Sequence, residues 1–152
     1  MESVTDAART LLVACALSAA AATMFVARLR RADPDSPERR IGELRAANAA
    51  GLILAATGAA TIGFSVVNAA AATAALEMAL AFLFLGAAGW MFFRDPREAL
   101  LIAAIALIAH AGIDLAHRPG MLSTALFPNW YLIGCASYDG YIAALCFLAR
   151  RR

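Results

Sequence analysis

Residues 98–117 read EALLIAAIALIAHAGIDLAH, an apolar run that carries two histidines and an aspartate near its end. A helix needs about 20 mainly apolar residues to cross the ~30 Å hydrocarbon core of a bilayer, so this stretch predicts a membrane-spanning helix. At about 100° per residue, His110, Asp114 and His117 fall within roughly 60° of one another on one helix face. Ionisable side chains are costly in hydrocarbon, and those found there are usually paired and functional. The stretch therefore predicts a membrane fold and a candidate polar site.

The remaining sequence has the same apolar character. Of the 152 residues, 62% are hydrophobic, whereas soluble domains are about 45–50% apolar. Five apolar segments predict an all-α, polytopic bundle of five transmembrane helices that forms a single domain over residues 1–152. No proline or glycine separates the second segment from the third, but one helix of ~50 residues would be ~75 Å long, so we expect a turn at Asn68. Pro128 suits the first turn of the last helix. The expected spans are 8–26, 44–67, 70–93, 98–117 and 128–148.

Charge and cysteine content exclude several classes of protein. The formal net charge is +2, and no basic patch is large enough to indicate nucleic-acid binding. Cys15, Cys135 and Cys146 are odd in number and lie in apolar segments, which argues against a disulfide framework. Arginines follow the first apolar run rather than precede it, so that run is expected to be a retained anchor and not a cleaved signal peptide.

The arginines predict an orientation for the bundle, because basic residues concentrate in cytoplasmic loops. With the N-terminus outside and the C-terminus cytoplasmic, only Arg9 and Arg118 fall outside, and Trp90 and Trp130 lie near opposite boundaries. The composition, rich in alanine and arginine without lysine, is typical of a high-GC bacterium, so a multi-pass protein of the bacterial inner membrane is expected. The eleven arginines then inside are Arg28, Arg30, Arg31, Arg39, Arg40, Arg45, Arg94, Arg97, Arg150, Arg151 and Arg152.

Two further carboxylates lie inside apolar segments at a similar expected depth. Glu77 is about 10 Å from the outer end of the third segment, and Asp139 is about 16 Å from the outer end of the fifth. His110 and Asp114 lie about 12 Å and 6 Å from the outer end of the fourth, with His117 at its edge. Three helices thus bring ionisable groups to the outer half of the membrane. One turn from Asp139, Cys135 shares its helix face, and Tyr131 precedes both.

Histidine and carboxylate side chains are good ligands for zinc, iron or manganese. The two histidines are about 10.5 Å apart along the helix, too far to hold one ion together. We therefore expect one or two divalent ions, with Asp114 as a bridge. The ligand set would be His110, Asp114, His117, Glu77 and Asp139.

These ligands predict a metal-dependent intramembrane enzyme, a hydrolase or an oxidoreductase, that acts on a lipidic or other apolar small molecule. Asp114 or Glu77 would be the catalytic carboxylate, acting as a general base. Two alternatives remain open: a proton- or cation-linked small transporter or ligand-binding protein, and an accessory subunit whose polar residues form a structural network. The expected partners are the lipid bilayer, the apolar small molecule, and a second copy or another membrane subunit. Helix contacts through Gly51, Gly58, Gly86, Gly89 and Gly112 would bring the polar groups together.

The string His110-x3-Asp114-x2-His117, followed by Gly120 and by Cys135-x3-Asp139-x2-Ile142-Ala143, resembles a family of small bacterial integral membrane proteins without an established activity. In that family a Trp-Asp pair lies between the histidines and a His-His pair ends the helix, whereas this chain has Ile113 and Arg118 at those two places. The resemblance implies that the polar residues act as a set, and it implies no reaction. Further positions that approximate the family pattern are Arg39, Arg40, Asn48 and Glu77.

Overall fold

The computed structural model describes residues 2–68, 73–117, 121–122 and 126–151. Within these ranges five α-helices each have the length and apolar composition to cross a membrane. This confirms the all-helical architecture expected from the sequence and is consistent with a multi-pass membrane protein. Arg118, Gly120 and Arg152, and the first residues of the expected third span, lie outside the described residues. The helices are α1 (Glu2–Arg31), α2 (Pro37–Val67), α3 (Ala74–Met91), α4 (Pro96–Ala116) and α5 (Asn129–Arg150).

The helices extend beyond the apolar runs wherever polar residues can continue or cap them. The first helix ends at Arg31 rather than near residue 26, and the second begins at Pro37 rather than near residue 44. Ser36 caps α2 by accepting a hydrogen bond from the backbone N–H of Arg39 at 3.1 Å. Pro128 is the N-cap of α5 and not part of its first turn, since its ψ of 141° is extended.

Asn68 ends α2 at the position where the turn was predicted. Its backbone N–H and its side-chain amide both donate to the carbonyl of Phe64, at 3.0 Å and 2.9 Å. The first is the last i→i−4 bond of the helix, and the side-chain amide adds a second donor to the same carbonyl. The next described residue is Thr73, which precedes α3.

Small side chains form much of the interface between helices. Along α4, Ala99, Leu100, Ala103 and Leu107 are almost completely buried. The same helix packs against α5, α2 and α3, and α1 packs mainly against α5. Large apolar side chains such as Phe93 point outward. An apolar outer surface of this kind indicates contact with a lipid bilayer.

Gly58 permits the close approach of α2 to α3. A Cβ atom at this position would lie 3.0 Å from the carbonyl oxygen of Ala81 and 3.1 Å from Cγ of Leu85. At Gly51 a Cβ would meet its nearest neighbours at ordinary contact distance, 3.7 Å. Three other glycines face outward, and an added Cβ there meets no described atom within 4 Å. The prediction that they mediate helix contacts is therefore wrong for Gly86, Gly89 and Gly112.

Gly58→Leu is expected to lower the free energy of unfolding by about 1–3 kcal/mol, the usual cost of overpacking. The clash includes the backbone oxygen of Ala81, which cannot move without shifting α3. Unfolding of the detergent-solubilised protein by added SDS would measure the change. Gly63→Leu is the matched control on the same helix, because a Cβ there meets nothing within 4 Å. Equal stability of the two variants would contradict the close approach.

Arg39 joins several helices at one end of the bundle, hereafter the basic end. Its Nη1 donates to the carbonyl of Leu29 at 2.6 Å, near the last turn of α1. Its Nη2 donates to the carbonyls of Ala149 and Arg151, both at 2.9 Å, at the end of α5. The carbonyl of Leu29 also accepts from the backbone N–H of Ala32 at 3.3 Å. All three carbonyls lie at C-terminal helix ends, where a cation interacts favourably with the helix dipoles.

Glu43 completes this network and connects it to α4. One carboxylate oxygen accepts from Nε of Arg39 at 2.8 Å, and the other accepts from Nε of Arg97 at 2.9 Å. Arg39 and Glu43 are both buried. Arg39, expected from the sequence to be a topology determinant and a position of the family pattern, therefore also connects α1, α2 and α5.

Candidate metal centre

Three of the predicted ligands lie together between α4 and α5. His110 and Asp114 are one turn apart on α4, and Asp139 is in the middle of α5. Nδ1 of His110 lies 2.8 Å from Oδ2 of Asp139 and 3.3 Å from Oδ2 of Asp114. Ligand atoms of the three residues all lie within 4.8 Å of one another, and all three residues are buried. This group can hold a metal ion.

Two carboxylate oxygens of this group have no hydrogen-bond partner. They are Oδ2 of Asp114, which lies near His110 without making a hydrogen bond, and Oδ1 of Asp139. Asp139 is only 1% exposed, so its free oxygen is shielded from bulk solvent. A buried polar atom without a partner costs about 1–3 kcal/mol, and more when it is charged. The cluster therefore has unsatisfied ligand atoms that a cation would satisfy.

His117 and Glu77 form a second buried pair between α4 and α3. Nε2 of His117 lies 2.9 Å from Oε1 of Glu77, and Nδ1 lies 2.9 Å from the carbonyl of Ile113. A carbonyl only accepts, so Nδ1 carries a proton. A hydrogen bond between Nε2 and the carboxyl group then requires one further proton shared by the pair. His110 and His117 thus take different partners, as their spacing along α4 predicted.

A small cavity connects the two groups. The centre of a water molecule could occupy a volume of about 10 Å³ inside it. This is enough space for about one water. Ionisable side chains from both groups face it, together with the hydroxyl-bearing Thr61 of α2. The two groups therefore face one shared space large enough for about one water. The ionisable residues that line the cavity are Glu77, His110, Asp114 and His117.

Two aromatic rings hold the imidazoles from the side. Phe84 packs edge-on against His110 with ring centroids 4.9 Å apart, and Phe127 packs edge-on against His117 at 5.3 Å. These contacts fix the planes of the imidazole rings. Sequence reasoning missed both phenylalanines and Thr61, since one more apolar or hydroxyl residue in an apolar segment carries no distinctive pattern.

Cys135 and Tyr131 lie outside the ligand group. They share a face of α5 with Asp139, as their spacing predicted, and all three line an apolar groove next to α1. In the described part of the chain, the one set of three potential ligands close enough for a metal is His110, Asp114 and Asp139. Ligation by Glu77 and His117, and hence a second ion, stays a prediction.

No protein-family model, curated protein sequence or solved structure matches the chain. The resemblance to the small bacterial membrane proteins therefore stays a prediction as well. Any function of the chain has to be inferred from the geometry of the site.

Proposed function

We propose that this chain is a membrane protein that binds a divalent metal ion through His110, Asp114 and Asp139. The observation that carries the proposal is the buried group of three ligand side chains in which two carboxylate oxygens lack a partner. A divalent cation would offset both carboxylate charges and would satisfy both free oxygens. One imidazole with two carboxylates is a donor set that suits zinc, iron or manganese.

The same site supports an enzyme of the hydrolase or oxidoreductase class that acts on a lipidic or apolar small molecule. A bound divalent ion supplies a Lewis acid. Glu77 and His117 share a proton beside the cavity that Asp114 also lines, so this pair can give or take a proton there. Asp114 is the carboxylate of the ligand group that also lines the cavity beside the proton-sharing pair, and Asp114 and Glu77 are the catalytic carboxylates of the proposal.

A second candidate is a metal-free, proton-linked transporter or ligand-binding protein. The observation that favours it is the short contact between His110 and Asp139, with Asp114 near the same nitrogen. Chains of Asp, Glu and His side chains form the proton relays of membrane pumps and transporters. Metal content separates this candidate from the first.

The proposal includes an orientation in which the basic end faces the cytoplasm of a bacterium. The contacts of Arg39 and Arg97 support this orientation. They place four helix termini at the same end of the bundle: the end of α1, the start of α2, the start of α4 and the end of α5. Most of the described arginines flank these termini. Trp90, whose ring lies 4.5 Å from the guanidinium of Arg94, would lie at the cytoplasmic boundary.

Elemental analysis of protein purified without chelator tests the proposal. We expect about one zinc, iron or manganese per chain in the unaltered protein, held by three side chains. Asp139→Asn keeps the shape of the side chain but removes a charge and a ligand oxygen, and it is expected to lower metal content at least about tenfold. His110→Gln is expected to do the same.

Glu98→Gln is the matched control, since Glu98 is an exposed carboxylate on the same helix as His110. Circular dichroism and gel filtration would establish that each variant is folded. Absence of stoichiometric metal in the unaltered protein would overturn the metal proposal and leave the proton-linked candidate. Metal retained in both folded site variants would also overturn it.

A further inference from the structure

Two apolar grooves run along α1, and Asp139 lines one of them at mid-length. The first, the Trp130 groove, has a volume of about 580 Å³ between α1, α2 and α5, and Trp130 and Asp139 both line it. The second, the Phe25 groove, has a volume of about 420 Å³ between the same helices, nearer the basic end. Both volumes are in the range of ~300–1,000 Å³ typical of ligand sites. Ser18 and Ile53 line both grooves, so the two are continuous.

The junction of the grooves lies half-way along the helices. Ser18, Ile53 and Asp139 are each near the middle of α1, α2 and α5 respectively. Along α1 the lining extends from Ala8 to Val26, which is about 27 Å of helix and close to the ~30 Å hydrocarbon thickness. Asp139, which lines the Trp130 groove with only 1% of its surface exposed, therefore lies about 15 Å from either end of a ~30 Å apolar span.

Hydrogen bonds between hydroxyl groups connect α1 to α5. The open space of the grooves therefore lies between α1 and α2. The hydroxyl of Tyr138 donates to Ser18 at 2.9 Å, and that of Tyr141 donates to Thr23 at 2.6 Å, because both α1 hydroxyls already donate to carbonyls of their own helix. Facing them, α2 contributes mostly alanine to the groove lining. The grooves are thus a gap between α1 and α2 with α5 as the floor.

Asp139 is the one carboxylate in the lining of the two grooves, and arginine is absent from that lining. An anionic lipid head would have no counter-charge in either groove. Oδ1 of Asp139 is buried and has no partner, while Oδ2 is held by His110 of the candidate metal centre. The mid-depth position is therefore where an apolar ligand in the groove would come closest to the candidate metal centre.

We infer that the grooves bind one chain-like apolar molecule that spans both of them, with an internal carbon of the chain, rather than a polar head, beside Asp139. This inference rests on the proposed function and names its substrate class. A lipid head group stays at the membrane surface and cannot reach Asp139, whereas the interior of a long hydrocarbon chain can. The site then acts on the middle of a chain.

Photolabelling with two isomers of hexadecanol tests this inference. One isomer carries a diazirine at the middle of the chain, and the other carries it next to the hydroxyl group. The full-length protein in phosphatidylcholine vesicles is irradiated with each, and labelled residues are identified by mass spectrometry. We expect the mid-chain isomer to label Asp139 and its neighbour Cys135, and the head-end isomer to label residues at the far ends of the grooves, such as Trp130 or Phe25.

A variant that fills the groove provides a second test of the inference. Gly134 lines the Trp130 groove, and an added Cβ there meets nothing within 4 Å. Gly134→Leu is expected to reduce mid-chain labelling of Asp139 about fivefold or more by taking the space of the ligand, without loss of metal. Gly86→Leu is the matched control, since Gly86 is equally open but lies on α3 away from both grooves.

Three results would overturn the inference: labelling of Asp139 by the head-end isomer instead, equal labelling by both isomers, or labelling that Gly134→Leu does not reduce. Equal labelling would mean that ordinary bilayer chains fill the space without register. Labelling does not require metal, so its outcome is independent of the metal assay. Absence of metal would overturn the proposed function while the labelling pattern still tests the groove.

Discussion

Replacing Arg39 with methionine is expected to lower the free energy of unfolding by about 3–5 kcal/mol, the cost of removing one partner from a buried ion pair. The change leaves Glu43 buried with only Arg97 as a partner. It also removes the side-chain donor to the carbonyls of Ala149 and Arg151, and one of the two donors to the carbonyl of Leu29. Methionine fills a similar volume, so the loss reports on the polar contacts and not on a cavity.

Thermal unfolding in detergent, followed by circular dichroism, would show this loss as a Tm lower by roughly 10 °C. Arg40→Met is the matched control, because Arg40 is the neighbouring arginine and is exposed; a change within about 0.5 kcal/mol is expected there. Arg39→Lys should be intermediate, since an ammonium group keeps the charge but cannot reach all the acceptors of the guanidinium fork. Equal stability of the methionine variants at positions 39 and 40 would contradict the network.

The second large effect is expected at the Glu77–His117 pair. Glu77→Leu alone should cost about 3–5 kcal/mol, because His117 is then left buried with its Nε2 unpaired. His117→Leu alone should have a similar cost. The double replacement removes both polar groups, and the cost is expected to fall to about 1 kcal/mol, since apolar packing of similar volume can substitute for a buried pair.

SDS-induced unfolding of the single and double variants forms a double-mutant cycle that measures the coupling. The reference pair is Arg94 and Glu98, an exposed ion pair at 3.8 Å, for which coupling of no more than about 1 kcal/mol is expected. Additive effects of Glu77→Leu and His117→Leu would contradict the hydrogen bond between them. Metal content of the double variant adds a separate result: retention of about one ion per chain is expected if His110, Asp114 and Asp139 suffice as ligands.

Much of the fold could be predicted from the sequence because membrane helices are recognisable from length and apolar composition alone. The difficult turn followed from a length argument, and α2 does end beside Asn68. The polar helix ends could not be predicted in the same way. Hydropathy identifies only the apolar part of a helix. Beyond that part, α1 and α2 continue through charged residues at the basic end.

The candidate site was predictable as a set of ionisable residues but not as an arrangement. Helical periodicity put His110, Asp114 and His117 on one face, and all three are buried. Which carboxylate meets which histidine depends on how helices rotate against each other, and one sequence does not contain that information. The sequence thus supplied both His110 and Asp139, but their contact is set by packing of α4 against α5.

Glu43 was missed because it lies at a segment end, where a carboxylate is usually solvated. A signal was present, however: Arg39 and Glu43 are four residues apart, the spacing of a helical ion pair. Arg97, more than fifty residues later, gave no local indication that it would share the same carboxylate. Long-range polar contacts of this kind are what sequence patterns describe least well.

The buried Arg39 also constrains the order of events during biosynthesis. Two of its acceptors, on Ala149 and Arg151, are separated from it by 110 and 112 residues. At a translation rate of about 5–20 residues per second, they emerge about 6–22 s after the guanidinium that they will bind. During that interval the arginine has only Leu29 and Glu43 for contacts, and Glu43 is later shared with Arg97. The basic end therefore closes late, when α5 enters the bundle.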